Sequence, residues 1–575
     1  MIQRTFGWIQ DPGKLEHLRR VVEVFDPSSR VHMDLKNVLL PKLVTRADGQ
    51  IRLIKALKKR PLEISYSDLV GTAFSPRPSA RCNAIIQAVI PGQKRPFISD
   101  WPADNFIRWA QALGLVKWNR SRDTFSITKL GELLSNSEKQ SDQEYSIFER
   151  AFLSYPPVSR VINLLVEAAK VSQAMTKFEI GKQLGFKGEK GFTNISQELF
   201  VKEISQAAAK DKKKIRSNWE GDSDKYARMI CSWLFQLKYP WVAKTKKTVT
   251  ATFGGNRFFY DLQAFTVTPR GFEIRKRLTG ESKFKKIKKL VNFEMLCTKG
   301  RDRNYLRSRR ANVLQLMNKS PLSIVQINSK LRAKGFDEDP SNIKADISGL
   351  INIGLLVIFS NNKFRCIDDI TGLSIPKLQV VETRKSDILE LTEKCRRVLK
   401  VLPHEFLILI DLGFDSKQSL YFEIKTIELL TEHCGFEGMH LGKSKRPDGI
   451  IYNDSFGIII DNKAYVDGFA ITAPERDKMK RYIEENRKRD AILNATKWWE
   501  FFPSYLDNFL FLFISGSFKG NLKQQLQILS RSTDGTLGSA ISSYMLLMFA
   551  EMIMNKTMSH EEFKTKIGCL EEVKA

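Results

Sequence analysis

One heptapeptide occurs twice in this chain, and its surroundings recur with it. Phe125-Ser126-Ile127-Thr128-Lys129-Leu130-Gly131 returns as Phe265-Thr266-Val267-Thr268-Pro269-Arg270-Gly271. Before each copy lies a helix-like stretch containing Trp and Leu, FIRWAQALGLVKW and YARMICSWLFQL. The order is helix, short strand, polar turn, second strand, then a helix opening beyond the Thr. A winged helix closes this way, the strands forming the wing and the preceding helix presented to DNA. A third, weaker copy runs DISGLINIGLLVIF, then Ser360-Asn361-Asn362-Lys363 as the turn, then FRCID. Upstream of the last two wings, MTKFEIGKQLGF (175–186) and LSIVQINSKLRAKGF (322–336) space apolar residues by three and four before a Gly-Phe. The first helices of a helix-turn-helix have that pattern. Winged helices also serve protein contacts, so the repeat alone does not choose the partner.

Charge chooses it. Lys plus Arg number 93 against 64 Asp plus Glu, a net of +29. Residues 381–575 hold 27 basic and 28 acidic residues, a net of −1, so residues 1–380 carry a net of +30. A basic, polymer-binding part joined to a neutral part follows, and double-stranded DNA is the partner expected for the wings. No apolar run reaches the roughly 18–20 residues of a membrane span, which excludes a transmembrane chain. The opening MIQRTFGWIQDPGKLEHLRR has no apolar secretory core. Seven scattered cysteines without a CxxC pair, and six histidines, suggest neither a disulfide framework nor a zinc site. The expected compartment is reducing cytoplasm.

The chain is too long for one core. Residues 1–150, 151–285 and 286–370 read as three winged-helix-like subdomains, and TGLSIPKLQVVETRKS (371–386) as a linker. Residues 387–575 open with a charged amphipathic helix, DILELTEKCRRVLKVL. Strand-like runs such as GIIIDNKAY and FLFLFISGSF then alternate with helix-like ones such as TIELLTEHCGF and MKRYIEENRKRD, so this part is an α/β domain. The fold class expected is α+β and multidomain.

Within the last domain, the segment from Arg446 to Lys463 reads as a β-hairpin. With Asp454 and Ser455 as its two-residue turn, Asp448 faces Asp461, and Lys463, two residues on, shares their face. Facing carboxylates repel unless a divalent cation lies between them. Asp448, Asp461 and the main-chain carbonyl of Asn462 therefore form a candidate Mg²⁺ site. Lys463 is placed to orient or deprotonate a water, or to offset charge on a phosphate under attack. A bare DxK is common by chance. Pro-Asp, a strand and DxK together are more specific, though an exposed hairpin with scattered charges would have the same letters.

KRPDGIIY, DNKAY, MKRYIEENRKRD, WWEFFP and FISGSFKGN together resemble the cleavage domain of the FokI-like type IIS restriction endonucleases. RTFGWIQDPGK, CNAIIQA, FIRWAQALG, NWEGDSDKYARMI and PHEF extend the resemblance over essentially the whole chain. It implies three winged-helix-related recognition subdomains, a linker and a PD-(D/E)xK nuclease domain. It implies binding to a short asymmetric, GGATG-like duplex site, with Mg²⁺-dependent cutting of both strands at a fixed distance outside it. The partners implied are double-stranded DNA, a transient second copy through the cleavage domain, and a cognate DNA methyltransferase. The family's catalytic residues fall on Asp448, Asp461 and Lys463. Glu423 is either a supporting carboxylate for the metal or a surface helix carboxylate. One departure lies nearby: the family has Gly-Gly where this chain has Gly442-Lys443.

For base reading, NWEGDSDKYARMI offers Trp219, Glu220, Lys225 and Arg228. Glu accepts from cytosine N4, whereas Lys and Arg donate to guanine, so the set suits G·C pairs. The other reading is a solvated helix start. Gln10, Arg77 and Trp101 match positions the family uses at DNA. Asp11 and Ser217 stand where the family has Asn, and neither can make the bidentate contact by which Asn reads adenine. Asp477 and Arg481, four apart on one helix, form an intrahelical pair or, as the resemblance implies, pair across a two-fold axis between copies. A DNA-binding regulator with a nuclease-like assembly domain, or a nicking nuclease, would share this layout. The intact Asp448, Asp461 and Lys463 speak against the regulator.

Overall fold

The computed structural model describes residues 12–71, 81–184, 195–221, 223–253, 256–279, 287–297, 303–336, 338, 340–376, 387–442, 445–503 and 505–574. In the first subdomain the helix Asp100–Ala112 leads into an antiparallel wing, Val116–Asn119 with Thr124–Ile127. In the second, Lys225–Phe235 leads into Val242–Phe253 with Asn256–Val267. The third wing pairs Val357–Ser360 with Lys363–Cys366. Its turn residues Asn361 and Asn362 both have positive φ, 50° and 56°, which asparagine tolerates in a two-residue hairpin turn.

The repeated heptapeptide has a physical reason. Thr128 Oγ1 accepts from Gly131 N–H, and Thr268 Oγ1 from Gly271 N–H, each at 3.1 Å, so each Thr caps the helix after its wing. Each glycine lies under the carbonyl of the residue just before the first strand of its wing. A Cβ on Gly131 would stand 2.1 Å from the Leu115 oxygen, and one on Gly271 2.2 Å from that of Trp241. The same two carbonyls accept from the Thr128 and Thr268 N–H groups at 3.1 Å. Cap and close approach together fix how the wing meets its helix. The two leading helices are joined by Trp109 stacked on Trp233, centroids 4.7 Å apart.

The C-terminal domain is a six-stranded sheet in the order Glu437–His440, Gly449–Tyr452, Gly457–Lys463, Phe509–Ser515, Gly538–Ser542, Glu572–Val573. The first three strands are antiparallel and the rest are parallel. Side chains alternate between two cores. Ile451, Ile458, Ile460 and Leu512 pack on one face with Phe422 and Leu429 of the helix Ser419–Glu432. Ile450, Ile459, Phe511 and Phe513 pack on the other with Met479, Tyr482 and Ile483 of the helix Ala473–Lys488.

That second core continues into the second recognition subdomain through Phe200, Ile204 and Val249. Polar groups frame the junction. Lys202 Nζ lies 2.9 Å from Glu500 Oε2 and 3.8 Å from the Phe501 ring centre, and Glu203 Oε2 lies 2.6 Å from Arg446 Nη2. Among the described residues no helix is long and apolar enough to cross a membrane. None of the seven cysteines forms a disulfide, and six of them are buried.

Candidate active site

The hairpin has the expected register: Gly449 pairs with Ile460 and Tyr452 with Gly457. Asn453 N–H donates to Phe456 O at 3.0 Å across the Asp454-Ser455 turn. One step beyond the paired strand, Asp448 N–H donates to Ile460 O at 3.1 Å, and the Asp448 carbonyl accepts from Leu441 N–H at 2.8 Å. This backbone clamp aims Asp448 at the face that carries Ile450, Ile459, Asp461 and Lys463. Its Oδ2 accepts from Asn462 N–H at 2.7 Å.

Asp461 is almost wholly buried, and two ammonium groups reach it. Lys478 Nζ donates to Oδ1 at 2.9 Å, and Lys463 Nζ stands 2.8 Å from Oδ2. Lys463 also lies 2.7 Å from Glu475 Oε2. The Asn462 side chain turns to the opposite face, where Nδ2 donates to Thr426 Oγ1 at 2.8 Å. Glu423 Oε2 is 3.0 Å from His440 Nε2.

Burial, then the charges of Asp461 and Glu423, push the Asp448 carboxyl well above the usual carboxylate range, with Lys478 and Lys463 opposing. Burial works against charge on Lys463, but Asp461 holds its pKa above the ordinary lysine value. Lys478 is raised in the same way by Asp461 and Asp448.

Two carboxylates on one buried face, with the charge of Asp461 raising the pKa of Asp448, are the arrangement that a divalent cation relieves. Asp461 Oδ2 and Glu475 Oε2 are buried, and each lies against the Lys463 ammonium. The donor set of two carboxylates and a main-chain carbonyl suits a hard, oxygen-preferring cation. Among the described residues no three His, Cys, Asp or Glu side chains converge as a ready-made metal cluster. Glu423, tied to His440, is part-buried in the helix Ser419–Glu432, close enough to Asp448 for its charge to be felt.

Lys478 and Glu475 are the residues that sequence reasoning missed. Their spacing of three on one helix was visible, but their orientation toward the sheet was not. The intrahelical alternative for Asp477 and Arg481 is not formed. Arg481 Nε instead lies 3.5 Å from Glu485 Oε1, its guanidinium 5.1 Å from the Tyr482 ring centre, while Asp477 is exposed and makes no ion pair among the described residues.

On the recognition side, Lys225 and Arg228 line one cleft of about 210 Å³ with Lys244 and Gln263, as their shared helix face requires. Ser217 and Trp219 lie in the π-turn Arg216–Glu220, and Trp219 stacks 4.8 Å beneath the Arg446 guanidinium. Gln10, Asp11, Arg77 and Lys443 lie outside the described residues, as do the side chains of Trp101 and Glu220.

Four family models match the chain in order: FokI recognition domain subdomain 1 over 4–137, recognition domain subdomain 2 over 144–258, the FokI D3 domain over 296–362, and the FokI cleavage domain over 385–574. The type II restriction enzyme FokI of Planomicrobium okeanokoites is 40% identical over 575 residues, 98% of each chain. The chain belongs to the FokI family of type II restriction enzymes. StsI of Streptococcus sanguinis, also named a type II restriction enzyme, is 32% identical over 98% of this chain and 95% of its own length. Two solved structures, one of restriction endonuclease FokI and one of restriction endonuclease FokI bound to DNA, both superpose with a TM-score of 0.87. They are 39% and 40% identical, with full coverage of each chain. Three recognition subdomains followed by a cleavage domain, in a mixed helix and strand fold, are thus the architecture of this site-specific deoxyribonuclease. Membership of the family implies a divalent metal cofactor.

Proposed function

We propose that this enzyme is a type IIS endonuclease. It binds a short asymmetric, GGATG-like duplex site through its basic first three subdomains, and cuts both strands at a fixed distance outside it. The observation that carries the reading is the hairpin register, Gly449 against Ile460, which brings Asp448 and Asp461 to the same end of one sheet face with Lys463 beside Asp461. Asp448, Asp461 and the Asn462 carbonyl would hold Mg²⁺, which when bound polarises the phosphate and lowers the pKa of a water. Lys463, fixed between Asp461 and Glu475, orients the attacking water and offsets charge gathering on the phosphate. The water oxygen bonds to phosphorus as the P–O3′ bond breaks, leaving a 5′-phosphate and a 3′-hydroxyl that takes up a proton.

Lys225 and Arg228 read guanine, Glu220 reads cytosine, and Trp219 packs at the same place. Gln10, Arg77 and Trp101 serve the first part of the site. Asp11 and Ser217 alter the readout of its A·T pairs relative to the family. Two copies meet through Asp477 and Arg481 on DNA, and a methyltransferase of the same specificity protects host DNA in the cytoplasm. Digesting a DNA library with and without Mg²⁺, then sequencing the ends, tests the reading. One motif at a constant offset from both breaks supports it, whereas breaks on one strand only, or breaks without a motif, count against it.

A further inference from the structure

The helix Ala473–Lys488 does more than close one face of the sheet. Met479, Tyr482 and Ile483 are buried against Ile450, Ile459 and Phe513, so the helix is locked in place by apolar packing. Glu475 and Lys478, three residues apart, therefore reach the reacting face from a rigid support.

The two lysines on Asp461 are not equivalent. Lys463 is 10% exposed and lies between two carboxylates, Asp461 at 2.8 Å and Glu475 at 2.7 Å. Lys478 is 33% exposed, and its one hydrogen bond among the described residues is to Asp461 Oδ1 at 2.9 Å. An ammonium has three donors, so Lys478 keeps N–H groups for a ligand at the open side of the site. An ammonium is also a point-charge binder of phosphate oxygens. We propose that Lys478 is a second cationic residue of the reaction centre, shared between Asp461 and a non-bridging oxygen of the scissile phosphate, and that Glu475 positions Lys463.

The proposal rests on Asp448, Asp461 and Lys463 being the cleavage site, and it adds a consequence. A lysine donating to Asp461 competes with any metal ion for that oxygen, so its removal should strengthen metal binding while weakening the chemical step.

The test uses the full-length protein, with Lys478→Gln, Lys478→Arg, Glu475→Gln and Asp461→Ala, and a duplex carrying the site found by end sequencing. Single-turnover cleavage by Lys478→Gln should fall about 100-fold, the scale of losing one donor to a developing charge. Site affinity measured in Ca²⁺ should stay unchanged, and Lys478→Arg should recover most of the rate. Mn²⁺ binding by the DNA-free Lys478→Gln protein, followed by electron paramagnetic resonance, should tighten on the order of tenfold as a neighbouring positive charge is removed. Glu475→Gln should lower the rate and leave site affinity alone. A Lys478→Gln rate within about threefold of the parent, equal losses for Arg and Gln, or unchanged Mn²⁺ affinity would each overturn the proposal. Full cutting by Asp461→Ala would instead sink the reading of the site itself, so the two failures are distinguishable.

Discussion

Arg446, two residues before Asp448, places its guanidinium 2.6 Å from the Glu203 carboxylate and 4.8 Å from the Trp219 ring centre. Glu203 and Trp219 belong to the second recognition subdomain and Arg446 to the cleavage domain. The segment that delivers the candidate acid is thereby tied to the segment that carries candidate base readers. Arg446 is buried, and a buried charge stripped of its partner costs about 3–5 kcal/mol, so this pair is a strong point of the junction.

Glu203→Arg should therefore loosen the docked arrangement. Hydrogen exchange in the helix Gln197–Gln206 should rise, and small-angle scattering should report a larger radius. Identical scattering for parent and variant would show that the arrangement does not depend on this pair.

Asp461→Ala should abolish cleavage and leave specific binding nearly intact, because the basic surface lies in the other three subdomains. A fall in cutting of at least about 1,000-fold is expected if the carboxylate holds the metal. Filter binding alongside a digest checks both halves, and near-parental cutting would remove the hairpin from the active site.

Asp477→Arg or Arg481→Asp alone should place like charges across the proposed two-fold contact and suppress double-strand cleavage, with binding unaffected. Equal mixtures of the two variants restore opposite charges across the axis, so the mixture should cut better than either alone. Both single variants matching the parent, at enzyme below site concentration, would rule this surface out.

Lys289 is buried, its Nζ donating to Leu153 O at 3.0 Å and Ser159 Oγ at 2.5 Å. Burial brings its pKa down to about 8, with Asp368 opposing. The folded state thus sheds this proton before the unfolded state does. Its charging penalty is present below pH 8 and fades as pH rises toward the unfolded lysine value. Relative to Lys289→Met, the parent should gain about 3 kcal/mol between pH 8 and 10.5. Thermal melts of both proteins across that range provide the measurement, and parallel curves would disprove it.

Short-range rules made much of this protein legible from its sequence. The wings were visible because a capping Thr, a glycine under a carbonyl and a two-residue asparagine turn all act within a few positions. The hairpin register followed from one tight turn and the period of two, which put Asp448 opposite Asp461 and Lys463 on their face. Tertiary packing decided the rest. Lys478 reaches Asp461 across 17 positions only because Met479, Tyr482 and Ile483 seat their helix on the sheet. Asp477 and Arg481 had the spacing of an ion pair, but Glu485, four residues further along, captured the arginine. Arg446 opens the hairpin segment in the sequence, and only the fold lays Glu203 and Trp219 over it. Charge and spacing name the groups that can interact; which of them meet depends on burial of apolar surface between segments far apart in the chain, a non-directional force that local pattern does not record.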